Sequence, residues 1–226
     1  WSNTEYFRKE VQSMGFDTEF EVNLETTLAT CQRGKDELNK FCVLNFASAK
    51  NPGGGFLNGS MAQEESLAIS SNLYYLIKDS PMYQLNRRDS LKGLYHHAMI
   101  YSPSVEIIRD DQGQLLEDKY SISVLSVPAV NWNHAISCGI SISEIEKEIE
   151  QRMRYMLNVA LMEGVENLIL GSWGCGVFGG SIEFVAHKFI DLLTDDFQGC
   201  FDQISFTVLD KDHQKVFEDA LDSKFS

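Results

Sequence analysis

The chain has 226 residues, long enough for one large domain with a substantial core, and its 43% hydrophobic, 23% charged and 11% aromatic content with only 4 prolines excludes a disordered or fibrous protein. A formal net charge of −14 excludes long-range capture of DNA, RNA or an acidic membrane, so any phosphate must be held by local geometry. Five cysteines, Cys31, Cys42, Cys138, Cys175 and Cys200, are odd in number and widely spaced, which predicts reduced thiols in a cytoplasmic compartment, with neither a disulfide framework nor a metal site.

Residues 1–10 are polar and amphipathic, unlike a signal peptide, and no apolar run approaches the roughly 20 residues of a membrane span. A start at Trp1 reads as a trimmed chain, which leaves an upstream targeting segment open. An apolar strand is predicted at residues 41–46, then a helix over 61–77, a strand at 97–101, and an exposed hairpin over 107–119 around Asp110-Asp111-Gln112-Gly113. A strand at 121–127 follows, and then the clearest helix, 144–162, where Ile145, Ile149, Met153, Met156, Leu157 and Ala160 recur at helical spacing after a Ser143/Glu146 capping box. Strands at 167–171 and 203–209 and helices at 182–193 and 212–221 complete the pattern. Short strands alternating with helices predict a helix-covered sheet, and with no linker between them one domain over residues 1–226.

Two constellations carry chemistry. In the first, strand 41–46 runs through Asn45-Phe46-Ala47-Ser48-Ala49-Lys50-Asn51-Pro52 into Gly53-Gly54-Gly55 and Phe56. Three glycines belong where φ is positive or where something approaches the main chain closely, although a flexible turn after Pro52 reads equally well from the glycines alone. Eight residues beyond Gly55 comes Gln63-Glu64-Glu65 at a predicted helix start. Acidic residues there usually just answer the helix dipole. A carboxylate beside a glycine-lined cleft can also protonate a leaving oxygen and later deprotonate water, as glycosidic cleavage requires.

The second constellation is Gly171-Ser172-Trp173-Gly174-Cys175-Gly176-Val177-Phe178-Gly179-Gly180-Ser181, between a strand and a helix. Its main-chain N–H groups can cradle a diphosphate without Lys or Arg, which suits an acidic protein; a tight turn without ligand is the bland alternative. Gly174, Gly176 and Gly179 also satisfy a dinucleotide-binding pattern, but that pattern normally opens its fold rather than falling near the end of a chain.

The glycine triplet, spacer and Gln-Glu-Glu resemble the signature of the poly(ADP-ribose) glycohydrolases, and residues 45–56 together with Gly174-Cys175-Gly176-Val177-Phe178 resemble their microbial branch, over residues 41–210. This resemblance implies a macrodomain-like fold, a three-layer α/β/α with a mixed central sheet. It implies hydrolysis of the ribose–ribose bond without metal or cofactor, on ADP-ribose, its polymer or an ADP-ribosylated protein. By the same resemblance Glu65 is the general acid and base, Glu64 holds hydroxyls of the ribose being cleaved, and Gln63, which opens the motif, is a substrate-binding residue. Gly53, Gly54 and Gly55 face that ribose and the diphosphate, and Gly174, Cys175, Gly176, Val177 and Phe178 form the second diphosphate loop, with Phe178 packing on the ribose. Asn45 and Ser48 stand in place of the two Asn of a macrodomain Asn-x-x-Asn, and Ser48 is shorter than Asn. Ile69 replaces a common Arg, and Gly180-Ser181 a common Asn-Pro. Those two departures motivate a rival activity, removal of single ADP-ribose groups from a side chain such as arginine. A reader without turnover is a further rival, against which the intact Gln63-Glu64-Glu65 argues.

His96 and His97 lack a third ligand at a recognisable spacing and read as structural. Cys175 has no partner His in sequence reach for nucleophilic work, while Trp132 and His134, just after a strand, are placed to reach a ligand. A monomer acting at polymer ends is expected, because an acidic exterior with Lys50 and Arg109 among its few basic groups near the motifs repels the interior of a polyanion.

Overall fold

The computed structural model describes residues 13–34 and 41–226; the opening segment 1–10 lies outside the described residues. Six strands, β1 (Glu19–Leu24), β2 (Phe41–Asn45), β3 (Ile100–Arg109), β4 (Leu115–Ser126), β5 (Asn167–Gly171) and β6 (Gln203–Val208), form one sheet in the order β1-β6-β5-β2-β4-β3. All neighbours are parallel except β3 and β4, so the sheet is mixed. Every residue of β2 is buried, as expected of a central parallel strand covered on both faces. Edge strand β1 escaped the sequence reading, although Glu19-Phe20-Glu21-Val22-Asn23-Leu24 alternates with period two.

Side-chain alternation sends Phe41, Val43, Ile122, Val124 and Ile169 to one face, where they pack on α1 (Thr27–Arg33), α2 (Gln63–Ser70), α3 (Leu73–Ile77) and α4 (Pro81–Arg88). Cys42, Leu44, Leu125, Leu168, Leu170, Ile204 and Phe206 face the other core with α5 (Trp132–Ser137), α6 (Ile142–Met162), α7 (Ile182–Thr194) and α8 (Lys211–Phe225). This is the three-layer α/β/α arrangement expected.

Three local expectations are corrected. The predicted helix 61–77 is two helices, because Ser71 turns extended (φ −145°, ψ 179°) to bridge Ile107 of β3 while Asn72 Oδ1 accepts from Glu106 N at 3.0 Å. Hydrogen bonds offered by a sheet edge outcompete helix continuation there. The cap of α6 is Ser141 with Glu144, not Ser143 with Glu146: Ser141 Oγ accepts from Glu144 N and the Glu144 carboxylate returns to Ser141 N. Capping at Ser141 places Ile140 and Ile145 in the same core as a hydrophobic staple, whereas a Ser143 cap would have used Ile142, which is exposed. The strand predicted at 97–101 starts only at Ile100 and runs to Arg109, with Pro103 at a register irregularity on this edge strand, where no ladder donor is required of it. Its hairpin turn lies at residues 110–114, where Asp110 Oδ1 accepts from the N–H groups of Gln112 and Gln114.

Candidate active site

Strands β5, β2 and β4 are parallel neighbours, so the loops that follow them leave the sheet at one edge and line one cleft. Gln63 ties α2 to this edge. Its Oε1 accepts from Phe46 N at 2.9 Å and its Nε2 donates to Leu44 O at 2.8 Å, so both ends of the amide position the helix. The next two residues are thereby aimed at the glycine loop.

Glu64 Oε2 accepts from Ser48 N at 2.6 Å, and Glu65 Oε1 from Gly55 N at 2.9 Å. Gly53 and Gly54 have φ of +68° and +64°, a left-handed conformation that L side chains rarely adopt. A Cβ on Gly54 would overlap Glu65 Oε1 and stand 3.1 Å from Glu64 Oε2, and one on Gly53 would lie 2.9 Å from the Phe56 ring. The triplet is therefore a wall into which two carboxylates press, not a loose turn.

Glu64 is 4% exposed, and its Oε1 is buried without a hydrogen-bond partner. Burial, reinforced by the neighbouring Glu65 charge, pushes its carboxyl up to about 8 against the opposing hydrogen bond from Ser48 N. Asn45 is fully buried; its Nδ2 donates to Ser126 Oγ at 2.9 Å, and its Oδ1 also lacks a partner. Ser48 Oγ accepts from Lys50 N and Asn51 N, so this side chain shapes the loop.

The loop between β5 and α7 is folded by its own main chain. Gly180 N donates to Gly174 O at 3.0 Å, Gly179 N to Gly176 O at 2.9 Å, and Cys175 N to Ser172 O at 3.1 Å. Asn133 N holds Phe178 O at 3.2 Å, and the buried Trp173 indole donates to Val127 O at 2.9 Å. Among the described residues no protein acceptor takes the N–H groups of Gly176, Val177 and Phe178; Val177 is exposed, and a Cβ on Gly176 would meet nothing within 4 Å. Successive free N–H groups of this kind suit an anion. Tyr95 spans the two loops, its ring centroid 6.3 Å from that of Phe178 and 5.9 Å from Lys50 Nζ.

Sequence reasoning missed Tyr95, Ser126 and Asn133, which come into place only through folding. Trp132, expected within reach of a ligand, is buried with its indole beside Gly180 and its ring 6.2 Å from Phe184, so it supports the loop from behind. His134 sits on α5 with Cys138 Sγ 3.8 Å from Nε2. Burial pushes the Cys175 thiol up to about 12, which removes it as a nucleophile. His96 receives no role in the cleft: its N–H donates to Asn86 Oδ1. No group of three or more His, Cys, Asp or Glu among the described residues is placed to hold a metal ion, and no helix among them is long and apolar enough to cross a membrane.

A carboxylate pair pressed against glycine main chain and a loop of free N–H groups, both at one edge of the sheet in a three-layer α/β/α fold, define a macrodomain-like site of the glycosidase type. Comparison with known proteins agrees. Residues 1–110 match the family model described as microbial-type PARG, catalytic domain. The structure resembles poly(ADP-ribose) glycohydrolase from Deinococcus radiodurans in complex with ADP-ribose, at 38% identity over 97% of this chain and 91% of that one, with a TM-score of 0.88. It also resembles the Thermomonospora curvata enzyme bound to the inhibitor ADP-HPD, at 40% identity over 90% of this chain and 79% of that one, with a TM-score of 0.84. A search of curated proteins finds no match. The chain belongs to the microbial-type poly(ADP-ribose) glycohydrolase family, whose members are hydrolases of the glycosidase class.

Proposed function

We propose that this protein binds ADP-ribose and hydrolyses the ribose–ribose O-glycosidic bond of poly(ADP-ribose) from chain ends, releasing ADP-ribose. The observation that carries this reading is the pair of unpartnered buried oxygens, Glu64 Oε1 and Asn45 Oδ1, beside Glu65. Buried polar atoms are rarely left unpaired, and sugar hydroxyls, which both donate and accept, match them in either protonation state of Glu64. Glu65 gives its proton to the leaving hydroxyl oxygen as the bond from the anomeric carbon breaks. The resulting carboxylate then takes a proton from the water whose oxygen bonds to that carbon. Glu64 and Asn45 hold ribose hydroxyls, Gly176, Val177 and Phe178 present N–H groups to the diphosphate, and the Phe178 ring flanks the ribose.

Chain-end action follows from charge. With a formal net charge of −14, phosphates beyond the bound unit that come within about 8 Å of the acidic exterior are repelled before salt screens the charges. The experiment is a time course on long polymer, read as chain-length distribution beside free ADP-ribose, with an arginine-linked ADP-ribosyl protein in parallel. Steady release of ADP-ribose from slowly shortening chains is expected. Early mid-length fragments would overturn chain-end action, and release from the arginine-linked substrate alone would overturn the polymer as substrate.

A further inference from the structure

Among the described residues three non-glycines have positive φ, and all lie within residues 91–95: Leu91 at 48°, Lys92 at 56° and Tyr95 at 60°. Such strain persists only where the surroundings over-determine the backbone. Here the determinant comes from α6. Arg152, fully buried, donates from Nη2 to Leu94 O at 2.6 Å and Tyr95 O at 3.0 Å, from Nη1 to Pro128 O at 2.8 Å, and from Nε to His97 Nδ1 at 3.2 Å. Because His97 Nδ1 accepts, its ring proton sits on Nε2, which faces Glu148 Oε1 at 3.0 Å. The His97 ring is further braced edge-on by Tyr155 at 5.0 Å.

A buried guanidinium whose hydrogen bonds go to three carbonyls and an imidazole is an expensive way to pack a helix, since no carboxylate hydrogen-bonds it and Glu148 reaches it only by charge and by way of His97. What it accomplishes is local. Leu94 and Tyr95 follow a 3₁₀ turn, Pro128 follows β4, and the two segments are joined again by Asn131 N donating to Gly93 O at 2.9 Å. The first segment carries Tyr95, which stands between Lys50 and Phe178. The second leads into Asn133, which grips Phe178 O.

We propose that Arg152, backed by His97 and Glu148, is a positioning residue that clamps these two segments and so holds Tyr95 in its left-handed conformation as the brace of Phe178 in the ribose site. The proposal rests on the reading that the cleft takes ADP-ribose. It adds a determinant on the far side of the sheet edge from Glu65, acting without touching substrate.

The test uses His97→Ala, Arg152→Lys and, as a milder lesion that leaves the clamp residue in place, Glu148→Gln. Each is measured for thermal midpoint, ADP-ribose affinity and kcat, alone and combined with Tyr95→Ala. His97→Ala is expected to lower kcat about tenfold through displacement of the ribose brace. It should add nothing further in the Tyr95→Ala background, because both changes remove one device. Additive losses, or losses in proportion to the drop in thermal midpoint, would mean a merely structural role and overturn the proposal. Amide hydrogen exchange in the ligand-free protein separates this from the reading of the cleft. If the wild type binds no ADP-ribose, that reading fails, while faster exchange at residues 94–97 and 128–131 in His97→Ala still reports the clamp. Unchanged exchange there overturns it.

Discussion

The two glycine-rich loops share one edge of the sheet and each contains two left-handed glycines, yet they use glycine for different reasons. Around Gly53, Gly54 and Gly55 the absent Cβ makes room for side chains, the Glu65 and Glu64 carboxylates and the Phe56 ring. Around Gly174, Gly179 and Gly180 it makes room for Ala129, for Asn133, and for the loop's own carbonyl at Gly174, while Gly176 faces open space. One loop is a wall shaped to fit carboxylates; the other, the cradle, is folded on its own main chain and leaves the N–H groups of Gly176, Val177 and Phe178 free. An acidic protein can thus keep a carboxylate pair and a run of free N–H groups at one sheet edge by placing them after different strands, β2 and β5.

The largest effect should come from the wall. Glu65→Gln is expected to lower kcat on the order of 10²- to 10⁴-fold, with ADP-ribose affinity largely retained, as general acid–base roles behave; single-turnover hydrolysis beside calorimetric binding decides it. Unchanged hydrolysis would remove Glu65 from the chemistry. Gly54→Ala comes next. A Cβ there overlaps Glu65 at a φ of +64°, so about 1–2 kcal/mol of backbone strain should accompany a roughly hundredfold loss of activity from the displaced carboxylate. Denaturant unfolding with kinetics on the same preparation measures both.

Glu64 makes the comparison depend on pH. Above the ordinary carboxyl value of 4.5 the unfolded chain releases a proton that the folded chain keeps up to about 8, so stability present at pH 4.5 and below is lost as pH rises to 8. The change amounts to at most a few kcal/mol. A thermal midpoint that falls between pH 5 and pH 8.5 in the wild type, with a flatter profile in Glu64→Gln, is the expected outcome, and equal slopes would contradict it. The smallest effect belongs to the cradle. Gly176→Ala should change stability by less than about 0.5 kcal/mol, since its Cβ meets nothing within 4 Å. Any loss of ADP-ribose affinity, read by calorimetry, then reports ligand approach alone.

Much of the cleft was legible in the chain because it is made of contiguous runs. A strand leading into three glycines, an acidic pair opening a helix, and a strand leading into a glycine loop are each local, and local patterns survive without tertiary information. Gln63 was singled out as a ligand group, yet both ends of its amide hold β2, a role visible only once Leu44 and Phe46 lie beside α2. The 61–77 pattern could not reveal its break, because the partner that extends Ser71 is Ile107, far along the chain.

By itself, then, the sequence determined five of the six strands and the long helices between them, the two runs where glycine is required, and the carboxylate and N–H chemistry available, but not edge strand β1 or the short helices α1, α4 and α5. Tertiary structure alone decided that Glu64 is pushed up, since its shift comes mainly from desolvation by residues around it in space. It also decided that Arg152, which reads in sequence as one more charged position on a helix, lies fully buried against the carbonyls of Leu94, Tyr95 and Pro128. Desolvation and long-range hydrogen bonds depend on what surrounds a group in space, and residues distant in the chain supply most of that surrounding.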